Sequence, residues 1–246
     1  RLDSVKEIIE YFKTRKELGR LPAKPLVVKS IVTSSLQDVI GKKYGADVVA
    51  TLTGFKWMAE IIRRFEDQKT GHGFVFASEE SFGYMPHNDC RDKDGVSSVA
   101  LMCEIALEAK RRGKTLVDVL DEIYEEFGFH YETLISFDYE GVEGAAKIKR
   151  IMEVFRKNVT TEFAGLPIQA VDDYANGIHG LPKSNALGLL FSTCDKIFLR
   201  PSGTEPKIKF YVMVAITKGT LSEKRAEANK RIDLFDTNIR QWCERA

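Results

Sequence analysis

Residues 25–77 read PLVVKSIVTSSLQDVIGKKYGADVVATLTGFKWMAEIIRRFEDQKTGHGFVFA, and the way this stretch is punctuated decides the fold of the first half of the chain. Leu26 to Val32 is a short apolar run rich in β-branched residues, of a length suited to a buried strand. Ser34 is a candidate N-cap for a helix with Leu36, Val39, Ile40 and Tyr44 on one face, and Gly45 stops it. Asp47 to Leu52 predicts a second strand. Thr53-Gly54 then opens a helix that buries Phe55, Met58, Ile61, Ile62 and Phe65, and Gly73 to Ala77 predicts a third strand. Strands and helices alternating through short connections predict parallel βαβ units, with a mostly parallel sheet covered on both faces.

Ligands of such sheets gather at the carboxyl ends of the strands. Two loops qualify: Leu52-Thr53-Gly54-Phe55-Lys56, and the long stretch from Ser78 to Asp94, which shows little regular pattern. Upstream, Leu21-Pro22-Ala23-Lys24-Pro25 breaks the chain, since proline lacks an amide donor and biases its predecessor to extended geometry. Before it, Leu2, Val5, Ile8, Ile9 and Phe12 recur at helical spacing from the first residues. A helix that starts without cap or leader is expected of a piece of a longer protein, or of a chain whose initiator has been removed.

Downstream, helices are expected from about Gly95 to Arg112 and from Thr115 to Phe127, separated by Gly113 and closed by Gly128. The pattern then changes. A strand from Tyr131 to Phe137 and a helix from Gly141 to Lys157 precede several strand-like stretches, and a terminal helix starts near Ser222. The clearest strand is Lys207 to Ile216, where Ile208, Phe210, Val212 and Val214 alternate with Lys207, Lys209, Tyr211 and Met213. Strands clustered between two helices predict an α+β domain on an antiparallel sheet. The expected organisation is a helix and linker over 1–24, an α/β domain over 25–130 and an α+β domain over 131–246.

Composition narrows the function. The 246 residues carry 37 basic and 36 acidic side chains, a net charge of +1, which disfavours partners recruited by overall charge, such as nucleic acid or an anionic membrane surface. No apolar run approaches the ~20 residues needed to span a bilayer. The 4 cysteines form no CxxC pair, so a reduced, cytoplasmic setting is expected. The 4 histidines show no zinc-ligand spacing, and neither an EF-hand nor a GxSxG elbow occurs, so no metal site is expected.

Three stretches could carry chemistry. Arg200-Pro201-Ser202-Gly203-Thr204-Glu205-Pro206-Lys207 combines a guanidinium fork, hydroxyls, a glycine amide and a lysine, the donor set a phosphate needs, although these are also ordinary turn residues. It does not match the GxxxxGK[ST] nucleotide loop. Ser78-Glu79-Glu80-Ser81-Phe82-Gly83-Tyr84 places carboxylates, a hydroxyl and rings at a strand's carboxyl end. Carboxylates accept from pairs of sugar hydroxyls and rings cover apolar sugar faces, although paired glutamates in a loop are often merely solvated. In Arg91-Asp92-Lys93-Asp94-Gly95, Lys93 could bind or move a proton, while Asp94 could simply cap the next helix.

Together with Thr51-Leu52-Thr53-Gly54-Phe55-Lys56-Trp57, these stretches in this order closely resemble the α-D-phosphohexomutases, in the phosphoglucomutase/phosphomannomutase branch. The resemblance covers essentially the whole chain and corresponds to the third and fourth of the family's four domains, its C-terminal half. It implies that Glu79 and Ser81 contact sugar hydroxyls, with Thr53, Gly54 and nearby Lys56 forming a second sugar loop. Lys93 would assist proton transfer, and Arg200, Ser202, Gly203 and Thr204, beside Lys207, would grip the non-reacting phosphate. Phe82, Gly83 and Tyr84 stand where some members carry a histidine, which favours the phosphoglucomutase-like pattern.

The implied substrates are glucose or mannose 1- and 6-phosphates. The family reaction uses a phosphoserine, Mg2+ and a hexose 1,6-bisphosphate intermediate. The Ser-His-Asn-Pro and DxDxDR loops that supply the serine and the metal site belong to the preceding domains and do not occur in this sequence. A mutase fragment inactive by itself is therefore expected, with the missing N-terminal domains as its partner. The alternative is a natural phosphosugar-binding module without catalysis.

Overall fold

The computed structural model describes residue 12, residues 14–203 and residues 205–246. The chain divides into two compact units between Gly128 and Phe129.

The first unit runs β1 (Pro25–Ser30), α1 (Leu36–Lys43), β2 (Asp47–Thr51), α2 (Phe55–Asp67), β3 (Gly73–Glu79), β4 (Gly83–Met85), α3 (Gly95–Arg111) and α4 (Leu116–Phe127). The sheet order is β2-β1-β3-β4, with β1 parallel to β2 and β3, and β4 antiparallel to β3. This is the expected mixed, mostly parallel α/β architecture. β1 is buried at every position because alternate side chains feed separate cores on the two faces. Val27 packs with Leu36, Ile40, Val75, Phe76, Val119 and Ile123, while Leu26 and Val28 pack with Phe55, Met58, Ile61 and Ile62. Gly45, at φ +69°, ends α1 in the left-handed conformation, and the Ala46 amide returns to the Gly41 carbonyl at 2.8 Å.

Four local readings change. The N-cap position of α1 is Ser35, although the Ser34 hydroxyl does accept from the Leu36 amide at 3.2 Å. Val39 lies on the exposed side of α1. The stretch from Ser78 to Asp94 is more regular than expected, because β3 runs on to Glu79 and β4 folds back along it as a hairpin. Phe12, read as part of a helix outside the α/β domain, is buried in this unit's own core, stacked on Tyr44 with ring centroids 5.0 Å apart. The other residues read into that first helix, Leu2, Val5, Ile8 and Ile9, lie outside the described residues.

The second unit runs β5 (Phe129–Asp138), α5 (Gly141–Asn158), β6 (Glu162–Phe163), β7 (Leu166–Asp173), β8 (Leu187–Phe191), β9 (Lys196–Pro201), β10 (Lys207–Ile216) and α6 (Leu221–Arg245). Its 6 strands, in the order β5-β10-β9-β8-β7-β6, pair antiparallel throughout, as an α+β domain requires. Aromatic rings hold the helices to the sheet: Phe155 of α5 lies 5.5 Å from Phe210 and 5.6 Å from Trp242, and Phe235 of α6 lies 5.1 Å from Phe191. Tyr211 and Met213, read as the outward side of β10, are buried as well. Tyr174, just past β7, explains part of this: its ring sits 6.5 Å from Phe198, the cross-strand neighbour of Tyr211.

Candidate functional site

The candidate residues form two clusters, one in each unit. In the first, the carboxyl ends of β2 and β3 are joined directly: Glu79 Oε1 accepts a hydrogen bond from the Gly54 amide. Gly54 occupies the N-cap position of α2 at φ +118° and has no side chain to cap it. The carboxylate of Glu79 serves instead, placing negative charge where a helix start favours it. Glu79, Gly54 and half-buried Thr53 thus share one rim.

Glu80 goes elsewhere. Its Oε2 accepts from the Ser30 hydroxyl at 3.1 Å, and Ser30 Oγ lies 2.8 Å from Thr33 Oγ1. Gln37 Nε2 donates to Ser78 Oγ at 2.8 Å, so a buried polar network ties the loop after β1 to the end of β3. Lys29 reinforces that loop: its buried ammonium donates to the Ser34 carbonyl at 2.9 Å and to Asp38 Oδ2 at 2.7 Å. Sequence reasoning passed over Lys29 and Gln37 as positioning residues. The signal was there in Lys29, a charged residue inside an apolar strand.

The loop after β4 carries Lys93 to the same rim. Its ammonium lies 6.0 Å from the centroid of Phe55, the first residue of α2, and 3.2 Å from Asp92 Oδ1. Two anchors hold the loop. Glu66 of α2 accepts from Arg91 Nη2 at 2.6 and 2.8 Å and from Asn88 at 3.0 Å, and Asp94 caps α3 by accepting from the Val96 and Ser97 amides. Hydrogen bonds from Arg91 hold the Glu66 carboxyl below its ordinary range. Bonds from Lys93 do the same for Asp92, and bonds from Ser97 and then Val96 do so for Asp94. Arg91 is therefore an anchor, and Asp94 is the helix cap that the sequence allowed.

Ser81 and Lys56 are exposed, and the Lys56 ammonium lies 4.7 Å from the Trp57 ring centroid. Tyr84 is turned inward, its ring 6.5 Å from Phe76, and the exposed ring of this hairpin is Phe82.

The second cluster is the turn between β9 and β10. The Ser202 amide donates to the Lys207 carbonyl at 2.8 Å and closes it, with Gly203 exposed at its tip. Thr204 lies outside the described residues. Arg200, on β9, has its Nε buried without a hydrogen-bond partner. Lys207 is committed within the protein: its ammonium lies 3.2 Å from Glu205 Oε1 and 3.3 Å from Asp138 Oδ1. The hydrogen bond to Glu205 and then that to Asp138 raise its pKa. Lys209 stands directly across from Arg200 in the ladder, with Ser136 opposite on the other side. Lys209 makes no ion pair among the described residues, and the alternation that disclosed β10 disguised it as an ordinary solvent-facing lysine. Arg200 and Lys209 thus bring two uncommitted cations to one face beside the turn, a suitable place for an anion.

Among the described residues no group of three or more His, Cys, Asp or Glu is placed to hold a metal ion. Among them too, no helix is long and apolar enough to cross a membrane.

Comparison with known proteins gives the same direction. Residues 7–127 match the family model described as phosphoglucomutase/phosphomannomutase, alpha/beta/alpha domain III. The chain is 41% identical over 198 residues to a phosphoglucomutase of Staphylococcus aureus, an alignment spanning 76% of this chain and 35% of the relative. It therefore spans about a third of that relative's length. Among solved structures, the phosphoglucomutase pp63/parafusin from Paramecium, in its open form, superposes with a TM-score of 0.67 at 19% identity, over 98% of this chain and 42% of that one. A phosphoglucomutase/phosphomannomutase family protein from Burkholderia thailandensis gives a TM-score of 0.54 at 12% identity, over 98% and 41%. At these identities the superpositions speak for the fold.

Proposed function

The chain belongs to the phosphoglucomutase/phosphomannomutase family, as part of its C-terminal domains, and from that premise we propose that it holds the hexose and the non-reacting phosphate of a hexose phosphate mutase. The observation that carries the proposal is the buried Arg200 Nε without an acceptor, beside the Ser202–Gly203 turn and across from Lys209. A buried donor without a partner costs about 1–3 kcal/mol, and a phosphate oxygen arriving there removes that cost. Arg200, Lys209 and the donors at Ser202, Gly203 and Thr204 bind the phosphate; Lys207 contributes less because Glu205 and Asp138 already share its charge. At the other cluster, Glu79 and Ser81 accept from and donate to the sugar hydroxyls. Thr53 and Gly54 complete that rim, with Lys56 and Lys93 as the cations beside it.

In the reaction we assign to the longer protein, hexose 1-phosphate and hexose 6-phosphate interconvert through a hexose 1,6-bisphosphate. This chain's residues orient the sugar, hold the distal phosphate and, at Lys93, offer an ammonium proton. Magnesium is expected for that reaction, and among the described residues no group of three or more His, Cys, Asp or Glu is placed to hold it. Calorimetric titration with glucose 6-phosphate and with ATP tests the reading. Hexose phosphate should bind, with binding lost in Arg200→Ala; ATP binding indifferent to Arg200 would overturn it. A mutase assay of the 246-residue chain should show no turnover above a buffer control, because the phosphoserine and DxDxDR loops are absent from its sequence.

A further inference from the structure

Glu80-Ser81-Phe82 forms the three-residue turn between paired Glu79 and Gly83, and Phe82 lies in the left-handed region at φ +60°. Three-residue hairpins commonly place a left-handed residue last, where glycine is favoured, and a bulky side chain at positive φ is a genuine outlier. Strain of this kind persists only where the surrounding structure imposes it, and it clusters at active sites and ligand clamps. Packing does not explain it here, because Phe82 is 69% exposed, the most exposed aromatic residue among the described ones. The glycine of this hairpin is displaced by one residue: a Cβ on Gly83 would stand 2.6 Å from Phe55 Cε2, so Gly83 is needed where it is. The ring shares the tip with Ser81 and begins three residues after Glu79, whose carboxylate already faces the start of α2.

We propose that Phe82 is a sugar-binding residue, whose ring lies against the apolar C–H face of the hexose while Glu79 and Ser81 engage its hydroxyls. Aromatic rings suit that face because sugars combine a polar rim with patches of C–H. This rests on the hexose phosphate reading given above, and it names Phe82 as a residue that recognises the hexose rather than the phosphate.

The test is titration of the 246-residue chain, as wild type, Phe82→Tyr, Phe82→Leu and Phe82→Gly, with glucose 6-phosphate and separately with inorganic phosphate, alongside thermal unfolding of each variant. Phe82→Tyr should bind glucose 6-phosphate like wild type, and Phe82→Leu and Phe82→Gly should bind it about five- to tenfold more weakly. Affinity for inorganic phosphate should be the same in all four. Phe82→Gly should also unfold at a higher temperature, since the left-handed strain is relieved. If Phe82→Gly or, should that variant not fold, Phe82→Leu binds glucose 6-phosphate as tightly as wild type, the inference about Phe82 is overturned and the hexose phosphate reading stands. If the wild type binds inorganic phosphate no more weakly than glucose 6-phosphate, the inference is overturned as well. Failure of the wild type to bind either probe overturns both readings.

Discussion

Arg200 and Lys209 face each other directly across the β9–β10 ladder, and neither makes an ion pair among the described residues. Two residues away, Lys207 is held by Glu205 and Asp138. Three cations close in sequence therefore differ in what they can offer an anion. Charge-assisted hydrogen bonds contribute about 1.5–3 kcal/mol, so Arg200→Ala and Lys209→Ala should each weaken phosphate binding by roughly ten- to a hundredfold. Lys207→Ala should change it by no more than about twofold, since a surface cation already shared by two carboxylates contributes little. Isothermal titration with inorganic phosphate ranks the three, and Lys207→Ala emerging as the most damaging would refute the assignment.

Gly83 is required by contact rather than by backbone conformation. A methyl group there meets the Phe55 ring at 2.6 Å and Glu79 Cβ at 3.7 Å. Phe55 opens α2 beside Gly54, the amide that Glu79 caps, so the clash falls on the rim of the sugar cluster. Overpacking of this kind costs about 1–3 kcal/mol. Gly83→Ala should lower the thermal midpoint of the first unit and weaken hexose phosphate binding, while leaving binding of inorganic phosphate unchanged.

Which of these relationships could be read from sequence depends on how local their causes are. β1, β2 and β3 were legible because Val27, Val28, Val48, Val49 and Val75 carry the β-branched signature and Gly45 and Gly54 punctuate the helices between them. β4 was not: its three residues are too short for any period, and the turn before it ends in Phe82 where a glycine would have announced a hairpin. The alternation along β10 gave the strand but misjudged its second face, because Tyr174 reaches that face from a distant part of the chain. The phosphate turn was legible as a donor set, yet the choice between Lys207 and Lys209 needed the register with Arg200 and the positions of Asp138 and Glu205. In the sugar loops, Glu79 and Glu80 read alike until Gly54 and Ser30 separated them.

The loop that carries Lys93 should loosen in acid. The carboxylates of this loop and its anchors are engaged, Glu66 by Arg91, Asp92 by Lys93, and Asp94 by Ser97 and Val96, and all three lie below their ordinary range in the folded chain. The unfolded state therefore takes up protons at higher pH than the folded state does. Stability from these groups is complete above the unfolded values, about 3.9 for aspartate and 4.3 for glutamate, and is lost as pH falls through the lower folded values. Amide chemical shifts of Val96 and Ser97 followed below pH 5 should report release of the cap. Asp94→Ala should show the released signature at neutral pH, with a thermal midpoint a few degrees lower.

Asp195 anchors the start of β9 in the second unit. It immediately precedes β9, and its carbonyl accepts from the Phe191 amide at 3.0 Å, closing the turn from β8. Its carboxylate is fully buried: Oδ1 accepts from the Ala215 amide of β10 at 3.0 Å, and Oδ2 accepts from Thr193 at 2.7 Å and from Arg231 of α6 at 2.9 Å. One side chain thus ties a turn, strand β10 and the terminal helix together. Removing one partner of a buried pair is costly because the other is left uncompensated, about 3–5 kcal/mol in well-buried cases. Arg231 retains Glu227 at 3.0 Å and partial access to water, so Asp195→Ala should lie near the lower end. Arg231→Met should be at least as damaging, since it strands the fully buried carboxylate. Denaturant unfolding of both variants and of the double variant checks this. Equal losses in one single variant and the double variant are expected if the pair acts as a unit, whereas simple addition of the two would show that Asp195 acts through Ala215 and Thr193 alone.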